Sequence, residues 1–114
     1  MTNETKLWHV AVTAGGEPQD PSKTHAALVR LLQERPFIHS MRYADDHAEV
    51  RYWEESEDMV DAASLALRLW TEHRNSADLP DWKIVGLEVV AEETYRLRDS
   101  VTPRDTAMVA PRPF

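Results

Sequence analysis

The chain has 114 residues, which is enough for one domain with its own hydrophobic core. Its formal net charge is −7, and no basic run interrupts this acidic balance. We therefore expect no binding to nucleic acid or to a membrane surface, because both depend on Lys and Arg. The chain has no cysteine, which excludes disulfides and thiolate metal sites. The opening MTNETKLWHV has no long apolar stretch, which favours a cytoplasmic protein.

The periodicity of apolar residues predicts four strands and two helices. Alternation at every second residue predicts the strands, which are 7–13, 37–44, 48–54 and 83–91. Recurrence at three or four residues predicts the helices, which are 21–35 and 56–74. Asp20 and Pro21 are a typical cap and first-turn residue for the first helix, and Ser56 is a candidate cap for the second. Asp45 and Asp46 predict a tight turn between the second and third strands.

The second predicted helix is the most apolar part of the chain and has two candidate contact surfaces. Its main stripe is expected to cover a sheet and comprises Met59, Val60, Ala63, Ala66, Leu67 and Trp70. Ala62, Leu65 and Leu69 lie on a flank of this stripe. We expect the flank to pack against the first helix, and the alternative is a second surface for association.

No segment carries a motif that specifies a chemistry. The Gly15-Gly16 loop is followed by carboxylates that would repel a phosphate, so we interpret it as a simple connection. The sequence Asp45-Asp46-His47 is explained better by a turn than by a metal site. The five histidines lack the spacing of a helical zinc site, and no G-x-S-x-G motif occurs. We therefore predict no catalytic residue, no metal and no cofactor.

The last part of the chain changes composition. Residues 92–98 either extend the last strand or form a short helix. Residues 99–114 contain three prolines and little periodicity, so we predict a disordered tail, with a recognition peptide as the alternative. The predicted organisation is a loose segment at 1–5, one domain at 6–98 and the tail at 99–114.

The order of the predicted elements is strand-helix-strand-strand-helix-strand. Right-handed crossovers then place both helices on one face of a four-stranded antiparallel sheet. This order resembles the ferredoxin-like fold, an α+β sandwich that hosts many unrelated functions. The strings RYWEE and ALRLW and the VVGLEVV-like string IVGLEVV also resemble parts of small uncharacterised actinobacterial proteins, a resemblance that implies no activity.

The predicted sandwich leaves one face of its sheet uncovered, and that face is where we expect function. The covered face is predicted to hold Trp8, Val10, Val12, Met41, Tyr43, Val50, Tyr52, Val85, Leu87 and Val89. The open face combines aromatic, charged and apolar residues that suit a partner: Trp53, Arg51, Arg42, Glu49, Glu88, His9, Ile84 and Val90. The alternative is an ordinary solvated face with scattered apolar side chains.

These patterns favour a non-enzymatic module that binds another protein or a second copy of itself through the open face. The alternative is a small cofactor-free enzyme in which two ferredoxin-like sheets enclose a pocket. His9, Arg42 and Arg51 would then supply acid–base and anion-binding groups. Such a pocket is usually largely apolar, and this face is too charged for that.

Overall fold

Residues 5–98 and 110–114 are described by a computed structural model. Its elements, in chain order, are β1 (Lys6–Gly15), α1 (Pro21–Glu34), β2 (Ile38–Tyr43), β3 (His47–Ser56), α2 (Met59–Ala77), β4 (Lys83–Ala91), α3 (Glu92–Arg98) and β5 (Arg112–Pro113). The four predicted strands and two predicted helices are all present, with ends that differ by a few residues. None of the helices in the described ranges has both the length and the apolarity that a membrane crossing requires.

The five strands form one mixed sheet in the order β4-β1-β3-β2-β5. The first four pair antiparallel, whereas β5 runs parallel to β2. The predicted ferredoxin-like sandwich of four antiparallel strands and two helices is therefore wrong, because the chain beyond Ala91 adds a third helix and a fifth strand. The third helix is favoured by acidic residues in its first turn and basic residues in its last, with an ion pair of 2.7 Å between Glu92 and Arg96.

The two long helices begin at aspartate caps. Asp20 accepts a hydrogen bond from the Ser22 backbone N–H at 3.0 Å, and this bond lowers the pKa of the Asp20 carboxyl. The second helix starts later than predicted, since Asp58 is its cap and accepts from the Asp61 N–H at 2.8 Å. Ser56 ends β3 instead, and its carbonyl accepts the Trp8 indole N–H at 3.1 Å.

The core lies between one face of the sheet and the helices α1 and α2. Its buried members include Val10, Val12, Leu28, Leu31, Met41, Val50, Ala66, Leu69, Trp70 and Trp82. Trp70 stacks on Trp82 with ring centroids 6.0 Å apart and donates its indole N–H to the Pro80 carbonyl at 3.0 Å. Trp82 donates to the Glu17 carbonyl at 2.8 Å, so the loop after β1 is held against the core.

Two β-bulges change which side chains face the core. The register of β1 with β4 shifts between Gly86 and Ile84, and Val85 lies in this bulge. As a result, Ile84 packs against the core and Val85 is 67% exposed. The register of β2 with β3 shifts between Ile38 and Ser40, with His39 at the bulge, so Ile38 and Met41 both face the core. Strict alternation therefore fails at one point in each of two strands.

The described ranges leave most of the predicted tail outside the structure. Residues 1–4 and 99–109 lie outside the described residues, and so do the predictions of a loose start and a disordered tail where they fall on them. Residues 110–114 are described and include β5. The division into a domain at 6–98 and a tail stays a prediction.

Candidate functional site

The sheet face opposite α1 and α2 is partly covered by α3. The Tyr95 ring of α3 stacks on the His9 imidazole at 4.0 Å between centroids, with an interplanar angle of 28°. Trp53 lies opposite His9 in the pairing of β1 with β3, and its ring contacts both neighbours edge-on at 5.0 and 4.8 Å. His9 is consequently only 1% exposed. The centre of the predicted open face is filled by the chain itself.

A second histidine completes this aromatic cluster. His39 Nε2 lies 2.8 Å from His9 Nε2, a hydrogen-bond distance that requires one ring nitrogen to donate and the other to accept. The bulge in β2 brings His39 onto this face, which alternation along the strand does not predict. The pair bridges β1 and β2 across β3. A proton can pass between the two rings, but a general base must also reach its substrate, and His9 is buried.

The charged residues of this face pair with one another. Arg51 Nε donates to Glu49 Oε1 at 2.9 Å, and this hydrogen bond raises the pKa of Arg51 above its ordinary value. Glu88 lies 3.4 Å from Arg98 of α3. These pairs balance opposite charges along the sheet, so the face offers neither a strongly basic nor a strongly acidic site.

The eight residues predicted to bind a partner therefore fall into two groups. His9 and Val90 are buried, and Ile84 packs against the core on the opposite face. The remaining five keep part or most of their surface accessible on the predicted face: Trp53, Arg51, Arg42, Glu49 and Glu88.

The outer edge of β4 is a second candidate surface. Among the described residues β4 pairs only with β1, whereas the other edge of the sheet ends in the two-residue, proline-containing β5. The strand is nine residues long, contains no proline and is charged only at Lys83 and Glu88. Val85 is 67% exposed and Leu87 38% exposed. Natural proteins usually protect such an edge, because its backbone groups are a template for another strand.

One side of α2 continues this edge. Val60, Leu67 and Arg74 recur at intervals of seven residues and so lie on one side of the helix. Arg74 donates to Asp81 at 2.6 Å, just before β4 begins, so this side lies toward the β4 edge. Val60 is 72% exposed and Leu67 51% exposed. The β4 edge surface, as we call it, comprises the exposed apolar residues Val60, Leu67 and Leu87 on the helix side of this edge and Val85 on the other sheet face.

Comparison with known proteins decides the family. Residues 7–105 match the model of a domain of unknown function (DUF8830). The chain belongs to this family. No curated protein matches the chain. The match begins within β1 and continues beyond the end of α3, whereas β5 lies outside the matched residues of the DUF8830 domain. The resemblance to actinobacterial proteins stays a prediction.

One cluster of the DUF8830 domain has the residue types of a catalytic triad but not its geometry. Glu34 of α1 accepts from His73 Nδ1 and from the Ser76 hydroxyl of α2, both at 2.6 Å. Arg35 Nε donates to His73 Nε2 at 3.1 Å. The serine thus bonds to the carboxylate instead of the imidazole, so His73 is not placed to take its proton. These bonds, chiefly that from Ser76, lower the pKa of Glu34 and tie the two helices together.

A small cavity lies between α2 and β3. It has a volume of about 20 Å³, which is room for a single water, and its lining includes Arg35, Tyr52, Trp53, Glu54 and Leu69. Burial raises the pKa of Tyr52 and that of Glu54. The cavity is too small for a substrate. Within residues 5–98 and 110–114 no three His, Asp or Glu side chains cluster closely enough to hold a metal ion.

Proposed function

We propose that this DUF8830 protein is a non-enzymatic interaction module that associates with a second copy of itself through the β4 edge surface. The observation that carries the proposal is a nine-residue edge strand, open among the described residues, that continues into an exposed apolar side of α2. Pairing two such strands satisfies the backbone groups of both, and the apolar side chains beside them leave water together.

The charges of β4 fit this arrangement. Most homodimers have two-fold symmetry, which runs two copies of the same edge strand antiparallel. Lys83 begins β4 and Glu88 lies in its second half, so an antiparallel register centred between Val85 and Gly86 brings Lys83 of one copy toward Glu88 of the partner subunit, twice. Opposite charges on neighbouring strands stabilise a pair by about 0.2–1 kcal/mol, whereas like charges there destabilise it.

An edge-to-edge dimer keeps the outer faces of both sheets on one side. Trp53, Arg51, Arg42 and Glu49 then stay accessible in each copy, available to a further protein. The enzyme of the two-sheet type requires the opposite arrangement, with two faces turned toward each other around a pocket. The filled centre of this face, where Tyr95 covers His9, supports the edge arrangement over the enclosed one.

The test is the solution mass by light scattering for the wild type, Val85→Lys and Leu67→Lys. We expect the wild type at twice the 13.1 kDa of one chain and both variants at one chain mass. Phe37→Lys is the matched control, because Phe37 is 71% exposed and lies beside β2, at the far side of the sheet. It should leave the dimer intact.

Two results would overturn the proposal. A wild type that is monomeric at high concentration would exclude self-association. A dimer that persists in Val85→Lys and Leu67→Lys but is lost in Phe37→Lys would place the interface on the other side of the molecule. Circular dichroism checks that each variant keeps the fold.

A further inference from the structure

The segment 110–114 binds the edge of β2 as a peptide would. Arg112 and Pro113 pair in parallel with Arg42 and Tyr43, and the Phe114 backbone N–H donates to the Tyr43 carbonyl at 2.9 Å. Strand addition of this kind is a recurrent mode of peptide recognition, in which backbone bonds supply affinity and alternate side chains supply specificity.

The side chain of Phe114 is the anchor of this segment. Its ring stacks on the His47 imidazole at 4.5 Å between centroids and at an angle of 27°. The Arg42 guanidinium lies over the same ring at 4.9 Å, a cation–π contact. Asp46 Oδ1 lies 2.7 Å from His47 Nδ1 and so fixes the orientation of the imidazole. These three residues of β2, β3 and their turn form a cradle for one aromatic side chain.

The prolines of the segment suit its position. Pro111 is buried, and Pro113 lacks a backbone N–H, so the backbone bond to Tyr43 comes from the next residue, Phe114. Proline also restricts the free peptide to extended conformations, which lowers the entropy lost when it binds. The recognised pattern is therefore proline, arginine, proline and an aromatic residue.

We propose that the β2 edge is a peptide-binding site for extended segments of the pattern Pro-Arg-Pro-Phe, occupied in this structure by the chain's own residues 110–114. Every contact described above is local to the β2 edge and needs no covalent link to α3. Residues 110–114 also lie outside the matched residues of the DUF8830 domain. The ligand of the site is a proline-containing peptide with an aromatic anchor, and the chain's own segment competes for it.

The experiment uses the full chain with its own anchor removed by Phe114→Ala. The probe is the peptide Ala-Pro-Arg-Pro-Phe with both ends blocked, added to ¹⁵N-labelled protein and followed by NMR at the amides of Ala44 and His47. We expect saturable shifts at these amides in Phe114→Ala. The wild type should need severalfold more peptide, because a tethered segment competes at an effective concentration in the millimolar range.

Two matched controls separate specific binding from nonspecific contact. A peptide with Ala in place of Phe should give no saturable shift, because it lacks the aromatic anchor. The double variant Arg42→Ala/Phe114→Ala should bind the probe severalfold more weakly than Phe114→Ala, because the ring loses its cation. The proposal is overturned if Phe114→Ala does not bind the probe, if the Ala peptide binds equally well, or if the wild type binds as tightly as Phe114→Ala.

Discussion

Gly16 is predicted to be the least replaceable glycine of the three, for a reason that lies in the tertiary packing. A Cβ at this position would lie 2.7 Å from Trp82 Cδ1, well inside van der Waals contact. Its backbone φ is not in the left-handed region, so an alanine is not strained by its own conformation. The cost of Gly16→Ala therefore depends on whether Trp82 can move.

Trp82 has little freedom to move away. Its indole N–H bonds to the Glu17 carbonyl at 2.8 Å, its ring stacks on Trp70, and it is only 3% exposed. Overpacking in a dense core costs about 1–3 kcal/mol. Replacing glycine by alanine also stabilises the folded state by about 0.4–1 kcal/mol, because it reduces the conformational entropy of the unfolded chain. The two ranges differ by about 0–2.6 kcal/mol. Because Trp82 is held in place, we expect Gly16→Ala to lose about 1–2 kcal/mol in the free energy of unfolding, or about 4–8 °C in Tm.

Urea unfolding of the wild type, Gly16→Ala and Gly15→Ala at equal protein concentration measures this loss. Gly15 is the matched control, because a Cβ there would approach its neighbours no closer than 3.3 Å. We expect Gly15→Ala to lose less stability than Gly16→Ala. If Gly16→Ala is as stable as the wild type, or if both variants lose the same amount, the packing argument is wrong.

Two further predictions concern carboxylates whose pKa differs from its ordinary value. The pKa of Glu34 is lowered in the folded protein, so its ionised carboxylate stabilises the fold at pH values above the ordinary pKa of a glutamate. This contribution is lost as the pH falls through the lowered pKa. Glu34→Gln should therefore lower stability near neutral pH and have little effect at acid pH, as measured by urea unfolding at both. The pKa of Glu54 is raised by burial, so its ionised form destabilises the fold. Glu54→Gln should raise the unfolding free energy near neutral pH, and an unchanged or lower value would contradict this reading.

The strands and helices that form the core were predictable, because helix-capping residues and apolar periodicity in the sequence agree with the structure. Asp20 and Pro21 mark the start of the first helix, and the structure begins it there. Alternation of apolar residues located every strand of the four-stranded part of the sheet. The third helix was one of two alternatives given for residues 92–98, and β5 was not predicted. Both elements are short and take their stability from contacts with the sheet, such as that of Tyr95 on His9.

The faces of the strands were less predictable, for a geometric reason. Alternation assigns each residue to a face only while the register of the strand pairing is constant. A bulge adds one residue, so the side chains beyond it lie on the opposite face from the one that alternation predicts. The register shifts at Val85 in the pairing of β1 with β4 and at His39 in the pairing of β2 with β3. The consequences are that Ile84 faces the core instead of the open face and that His39 joins His9. Gly86 lies next to the β4 bulge, and a glycine inside a strand often marks a bulge, whereas the β2 bulge has no glycine or proline beside it.

The α2 helix illustrates a limit of helical periodicity. Its apolar residues span more than one face, so periodicity alone does not say which of them meets the sheet. Ala62 and Leu69, on the predicted flank, are buried, whereas Val60 and Leu67 of the predicted main stripe are exposed. The small side chains at 62 and 66 allow close approach of α2 to the sheet, beside the buried Leu69 and Trp70.

The two edges of the sheet differ in what covers them, so the peptide-binding proposal and the dimer proposal concern separate sites. The β2 edge is closed by a segment whose prolines limit further pairing, whereas the β4 edge has no proline and presents apolar side chains. Four strand spacings of about 4.8 Å place the two edges roughly 19 Å apart. Sites separated by more than about 10 Å without shared partners usually act independently. A peptide held at the β2 edge therefore leaves the β4 edge of the same molecule open to a second copy, and one chain can bind both.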